Sequence, residues 1–91
     1  MRYERDEDKR LANLEKHGLD LADADLVYEH QQKLTVPCKT THEERWQDFA
    51  EVDGILAVLT CVYTRRNDTV RFISFRYASR KERKVYYGAD R

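Results

Sequence analysis

The sequence predicts an α+β fold in which N-terminal helices pack on an antiparallel β-sheet followed by a C-terminal helix. Three observations predict it. Helical periodicity and capping residues are confined to the first thirty residues and to a stretch opening at Ser79. Runs of Val, Ile, Thr, Phe and Tyr lie between them. The links joining the main runs are too short for crossover helices, so consecutive strands must run antiparallel. At 91 residues the chain has room for one domain spanning 1–91, and none for separate cofactor and substrate domains.

Taken in order, the first helix is expected from Asp8 to His17. Asp6 is a candidate N-cap, Glu7 and Asp8 suit the positive end of the helix dipole, Leu11 and Leu14 lie three apart on one face, and Gly18 terminates it. A second helix is expected from Leu19 to Glu29, started by Asp20 and carrying Ala22, Ala24, Leu26 and Val27 as an apolar stripe. The stretch from Gln31 to Glu44 holds the sole proline, Pro37, among Thr35, Thr40 and Thr41, and reads as a short strand near Leu34 followed by an exposed, mobile loop. Arg45 to Val52 can form a strand, Asp53-Gly54 is a two-residue hairpin signal, and Ile55 to Thr64 is an almost continuous apolar run that suits the central strand. After the polar turn Arg65-Arg66-Asn67-Asp68, a further strand is expected from Thr69 to Tyr77. Ser79-Arg80-Lys81-Glu82 then forms a capping box that opens the last helix.

Hydrophobic residues make up 41% and charged residues 37%, with 17 basic side chains against 17 acidic ones. A modest core is affordable, and the absence of net charge separates the chain from disordered sequences. The neutrality conceals an asymmetry. Residues 1–30 hold 5 basic and 9 acidic side chains (−4), residues 31–60 hold 3 and 5 (−2), and residues 61–91 hold 9 and 3 (+6). A cationic end of this kind can form a phosphate-binding surface, although arginines that simply face water give the same count. No apolar run is long enough to cross a bilayer, and the charged start lacks the apolar stretch of a secretory signal, so the expected location is cytoplasmic with no membrane partner. Cys38 and Cys61 have neither disulfide-framework nor zinc-ligand spacing. No metal, nucleotide-loop or Ser-His-Asp pattern appears, and neither a metal nor another cofactor is expected.

Strict alternation along the strand from Val70 to Arg76 would put Arg71, Ile73 and Phe75 on one face and Val70, Phe72, Ser74 and Arg76 on the other. Both faces would then be mixed, with the aromatics assigned to the core and the arginines free to grip phosphates. Beyond it, Arg80, Arg83 and Lys84 share a helix face close to where the strand delivers Arg76. Cations at a helix N-terminus oppose the helix dipole, and the same corner attracts anions. His17 suits either a general base or a partner for the last carbonyls of its helix. Glu44 could pair with Arg45 or take a proton from a ribose hydroxyl.

Taken together, Asp6-x-x-Lys9-x-x-x-Asn13-x-x-Lys16-His17-Gly18, Ala22 and Val27-Tyr28 resemble the opening of BrnT toxins. Glu44-Arg45, Val62-Tyr63-Thr64-x-Arg66, Arg71-x-Ile73-Ser74-x-Arg76-x-Ala78-Ser79-Arg80-Lys81-Glu82-Arg83 and Tyr86 look like the rest of that family, in order and spacing, from about Tyr3 to Tyr87. Departures are Arg5 where tryptophan is common, Phe75 where a small residue is usual, and Tyr77 where a further cation is usual. The resemblance implies a RelE-like fold and a ribonuclease toxin of a type II toxin–antitoxin system that cleaves RNA and blocks translation. It further implies neutralisation by a DNA-binding BrnA-type antitoxin, and repression of the shared operon by the complex on operator DNA.

In such an enzyme Arg65, Arg76 and Arg80 are expected to hold the scissile phosphate, with His17 or Glu44 transferring protons. Lys9, Lys16, Arg45, Lys81, Arg83 and Lys84 would guide the RNA, free or on the ribosome. The alternative is a non-catalytic binding module, including a degenerate toxin kept as a corepressor, for which Phe75 and Tyr77 are the motivation. The strand from Ile55 to Val62 is expected to bury one face on the helices and offer the other to the antitoxin.

Overall fold

The computed structural model describes residues 2–38, 43–52, 54–55 and 57–89. The expected loop residues Thr40, Thr41 and His42, and Asp53 of the hairpin signal, lie outside the described residues. Strand β1 (Arg2–Arg5) leads into helix α1 (Glu7–His17), followed by a 3-10 turn at Leu21–Asp23 and a single helical turn α2 (Asp25–Tyr28). Strands β2 (Leu34–Cys38), β3 (Arg45–Val52), β4 (Ala57–Arg66) and β5 (Thr69–Tyr77) come next, and helix α3 (Arg80–Gly88) follows them. They form one five-stranded sheet in the order β1-β5-β4-β3-β2, with β4 at its centre. The α+β architecture, the meander and the last helix are as the sequence predicts.

Four local readings are corrected. The charged start is a strand, β1, pairing parallel with β5, so the sheet is mixed rather than wholly antiparallel. Four residues are too few to show periodicity, and only Tyr3 turns inward, with its ring centroid 5.4 Å from that of Phe72. The second helix is broken into the 3-10 turn and α2, because Asp20 caps Ala22 N–H and each short piece buries only one or two side chains, Leu21, Ala24 and Val27. Leu11 and Leu14 are 54% and 42% exposed, and α1 instead packs through Asn13, which is 7% exposed. β4 starts at Ala57 rather than Ile55, since Val52 pairs with Ala57 across a four-residue connection, 53–56.

Asn13 explains the choice of face on α1. Its Nδ2 donates to the carbonyls of Leu19 (2.8 Å) and Phe75 (2.7 Å), and its Oδ1 accepts from Phe75 N–H at 3.0 Å. The amide thus satisfies β5 where β1 has ended, because β1 covers only Thr69–Phe72. Arg10 ties the same helix to the following turn through paired bonds to Asp20 at 2.9 and 3.0 Å.

A bulge sorts the residues of β5. Val62 pairs with Ser74 but Tyr63 pairs with Phe72, so Ile73 is an extra residue without a partner on β4. The parity of the strand changes there. Val70, Phe72 and Phe75 all reach the main core with Leu59, Cys61 and Tyr63, under Leu21, Ala24 and Val27. Arg71, Ser74 and Arg76 fall on the opposite face, in register with Thr64, Val62 and Thr60. The alternation expected from sequence is therefore overturned, and the mixed faces it implied do not exist.

The opposite face is covered at one end only. Tyr86 of α3 packs there with Phe49, Val58 and Ala78, flanked by Leu34 and Val36. Val58 and Thr60 are consequently buried by the protein itself, so the face of β4 expected to be offered to the antitoxin is covered at these two positions. Under the N-terminal helices, fully buried Asp48 accepts from Lys33 Nζ (2.8 Å), Thr35 Oγ1 (2.6 Å) and Tyr63 Oη (2.9 Å). Burial, and then Asp48, push the Tyr63 phenol up, so it remains a donor. Cys61 is a buried free thiol, which burial also pushes up, and Cys38 is a half-buried one.

Candidate functional site

Two polar clusters lie apart, one on the partly open face and one at the far end of the sheet. The first sits where α3 meets the sheet. Ser79 starts α3 with its side chain accepting from Glu82 N–H, while Ser79 N–H donates to Glu82 Oε1 at 2.8 Å, completing the capping box read from sequence. Glu82 then points back over the sheet. Arg76 Nη1 donates to Glu82 Oε1 (2.7 Å), and Arg76 Nη2 donates to Glu82 Oε2 (2.9 Å). Gln47 Nε2, from β3, donates to Glu82 Oε2 at 2.9 Å and to Thr60 Oγ1 at 3.0 Å, and the Thr60 hydroxyl in turn donates to the Asp48 carbonyl at 2.8 Å.

The electrostatics follow from these bonds. Hydrogen bonds from Arg76 outweigh partial burial and, with Ser79 N–H and Gln47, hold the Glu82 carboxyl down at about 2. Arg76 is held protonated in return, chiefly by its bonds to Glu82. His17, at the end of α1, is lowered below its ordinary value by burial and then by the neighbouring charges of Lys16 and Arg76. The imidazole is therefore neutral near pH 7 and stands within electrostatic reach of Arg76.

The second cluster is a groove of about 680 Å³ at the far end of the sheet. Lys9, Arg45, Arg65, Arg66 and Arg71 line it together with Glu4, Glu43, Glu44, Thr64 and Thr69. The Arg65 side chain falls on the helix-side face, in register with Val70, and lies over the Trp46 ring, 5.4 Å from its centroid. Arg71 and Arg76 are five positions apart on β5, about 16 Å at the rise of a strand. Val62 and Ser74, both half-buried, lie between the two clusters.

The expected site residues are thus divided. His17 stands within electrostatic reach of Arg76, and Arg80, the first residue of α3, is exposed four positions on from Arg76. Arg65 and Glu44 do not join them: both line the distant groove, with the expected guides Lys9 and Arg45. Lys81 and Lys84 are exposed on α3, Lys16 is exposed in the last turn of α1, and Arg83 donates to the Ala78 carbonyl at 3.0 Å. Glu82, Gln47 and Arg71 were not singled out as site residues by sequence reasoning. Glu82 is legible only as a capping residue, Gln47 carries no pattern at all, and strict alternation sets Arg71 on the face opposite Arg76, whereas the bulge puts both on one face.

Among the described residues no group of three or more His, Cys, Asp or Glu side chains could hold a metal ion, and no helix is long and apolar enough to cross a membrane. No curated protein matches the chain. The family model described as the ribonuclease toxin BrnT of type II toxin–antitoxin systems matches residues 6–82, running from the N-cap of α1 to the glutamate that holds Arg76. That span contains the whole sheet except β1 and both partners of the arginine clamp, and the chain belongs to the BrnT toxin family.

Proposed function

We propose that this chain is a metal-independent endoribonuclease toxin that inhibits translation and is neutralised by a BrnA-type antitoxin, with which it represses its own operon. The observation that carries the reading is Arg76, half-buried and rigidly held on a cationic sheet face in a chain of the BrnT family. Cleavage without a metal uses the ribose 2′-hydroxyl as nucleophile. It needs a base for that proton, an acid for the departing 5′-oxygen and positive charge for the developing phosphorane. In this reading Arg76 supplies the charge, assisted by Arg80 at the start of α3, and neutral His17, within electrostatic reach of Arg76, accepts the proton. Glu44, Arg65, Lys9, Arg45 and Arg71 line the groove, where they would guide RNA leaving the Arg76 corner past the far end of the sheet.

The test is induction of the chain in bacteria with and without its adjacent antitoxin gene, with RNA ends, growth and protein synthesis followed together. Arrest with new RNA ends, reversed by the antitoxin and relieved in the folded Arg76→Ala, Arg80→Ala double variant, is the expected result. Unaffected growth and intact RNA with folded protein present would replace it by the corepressor or binding-module reading.

A further inference from the structure

We infer that Glu82 is a positioning residue whose carboxylate fixes the Arg76 fork so that its Nε/Nη2 edge is presented to the scissile phosphate, an assignment that rests on the ribonuclease reading above. A guanidinium has five N–H donors in a fixed plane, and a carboxylate has about four acceptor positions. Glu82 fills all four with Arg76 Nη1, Arg76 Nη2, Gln47 Nε2 and Ser79 N–H. A carboxylate saturated in this way, and held at about 2, has no lone pair with which to take a proton from a ribose hydroxyl. It is therefore excluded as the general base although it stands in the site.

The donors of Arg76 are divided just as strictly. Nη1 also reaches the Tyr77 carbonyl at 3.2 Å, so the Nη1/Nη2 end of the fork is consumed inside the protein. Among the described residues, Nε–H and the second Nη2 proton have no partner, and these two parallel donors match two phosphate oxygens. The side chain is 30% exposed, so that edge can be reached. Gln47, anchored on Thr60, braces the carboxylate from the sheet side and stops it from following a departing arginine.

Purified wild type, Glu82→Gln and Tyr87→Phe are compared for cleavage of a short RNA. In parallel, the Arg76 Nε–H and Nη resonances are followed by nitrogen-15 NMR while a non-cleavable 2′-deoxy oligonucleotide is added. Glu82→Gln turns an NH2 toward the guanidinium and should lower kcat by about 10- to 100-fold, the scale of a misplaced reacting group. Tyr87→Phe removes a hydrogen bond from α3 to Glu51 of β3 without touching the clamp and should keep kcat within about twofold of wild type, since its loss is a stability effect. The wild-type Nη protons should be resolved by hindered rotation, and Nε–H should shift with the oligonucleotide. In Glu82→Gln the Nη signals should merge and the shift shrink.

Equal losses in the two variants, or an unchanged kcat in folded Glu82→Gln, would overturn the assignment. Should wild type cleave no RNA, the ribonuclease reading fails separately and the NMR arm still decides. An Nε–H shift that depends on Glu82 supports the presented edge, and no shift in wild type refutes it.

Discussion

The two faces of the sheet are made from the same strands yet do opposite work. Under the N-terminal helices, Val70, Phe72 and Phe75 join a dry core, whereas the other face carries Arg71, Ser74 and Arg76 and is roofed by α3 at one end only. One extra residue, Ile73, separates them. A regular strand with this sequence would bury Arg76 and Ser74 beside Val70 and Phe72, an arrangement that desolvates a guanidinium without a partner. The bulge thus serves the core and the functional surface at once, which is the place where such irregularities are favoured.

The most severe way to break this division is to insert one residue between Val62 and Tyr63, which gives Ile73 a partner on β4. Regular pairing would then force either Phe75 or Val70 and Phe72 to the wrong face, and the expected outcome is loss of the cooperative unfolding transition in urea, with near-ultraviolet circular dichroism lost as well. Second in size is Asn13→Leu, which fills the space but leaves the Phe75 N–H and C=O unpaired. A destabilisation of about 2–4 kcal/mol is expected from two orphaned backbone groups, read as a lower urea midpoint at unchanged m-value.

Smaller is the acid response of the clamp. Glu82 is depressed in the folded protein from 4.5 to about 2, so its contribution is fully present above pH 4.5 and is lost as pH falls toward 2. Glu82→Gln should flatten that part of the stability–pH curve, and a curve that keeps its full slope would mean that the clamp does not hold in solution. The smallest structural effect belongs to Arg71→Ala on the exposed end of the polar face. Stability should change by less than about 0.5 kcal/mol, while the salt dependence of RNA binding falls by about one unit of slope.

Much of the fold was legible because its signals are local. Asp6 and Gly18 bracket α1, Ser79 and Glu82 cap α3, and β5 runs from Thr69 to Tyr77 as its residue types require. What failed depends on partners distant in sequence. β1 is a strand because β5 offers it an edge, and α1 turns Leu11 and Leu14 outward because Asn13 is needed by a backbone 62 positions away. The bulge is set by pairing between β4 and β5, which no count of alternating residues in one strand reveals.

The candidate site divides along the same line. Arg76, Arg80 and His17 could be found by residue type near helix ends. The separation of Arg65 and Glu44 from them, and the engagement of Glu82, required knowing which positions share a register row.

The amide of Asn13 has one more consequence. A strand as rich in Val, Ile and Phe as β5 would be a template for edge-to-edge aggregation if its outer side were bare. β1, an edge strand of only four residues with Arg2, Glu4 and Arg5 among them, covers that side as far as Phe72, and Asn13 closes it at Phe75 with the donor and acceptor of a single side chain. The other margin of the sheet, β2, contains Pro37, which has no N–H to offer an incoming strand. A protein that displays arginines on one face of its sheet therefore keeps the rim of that sheet unreceptive to copies of itself.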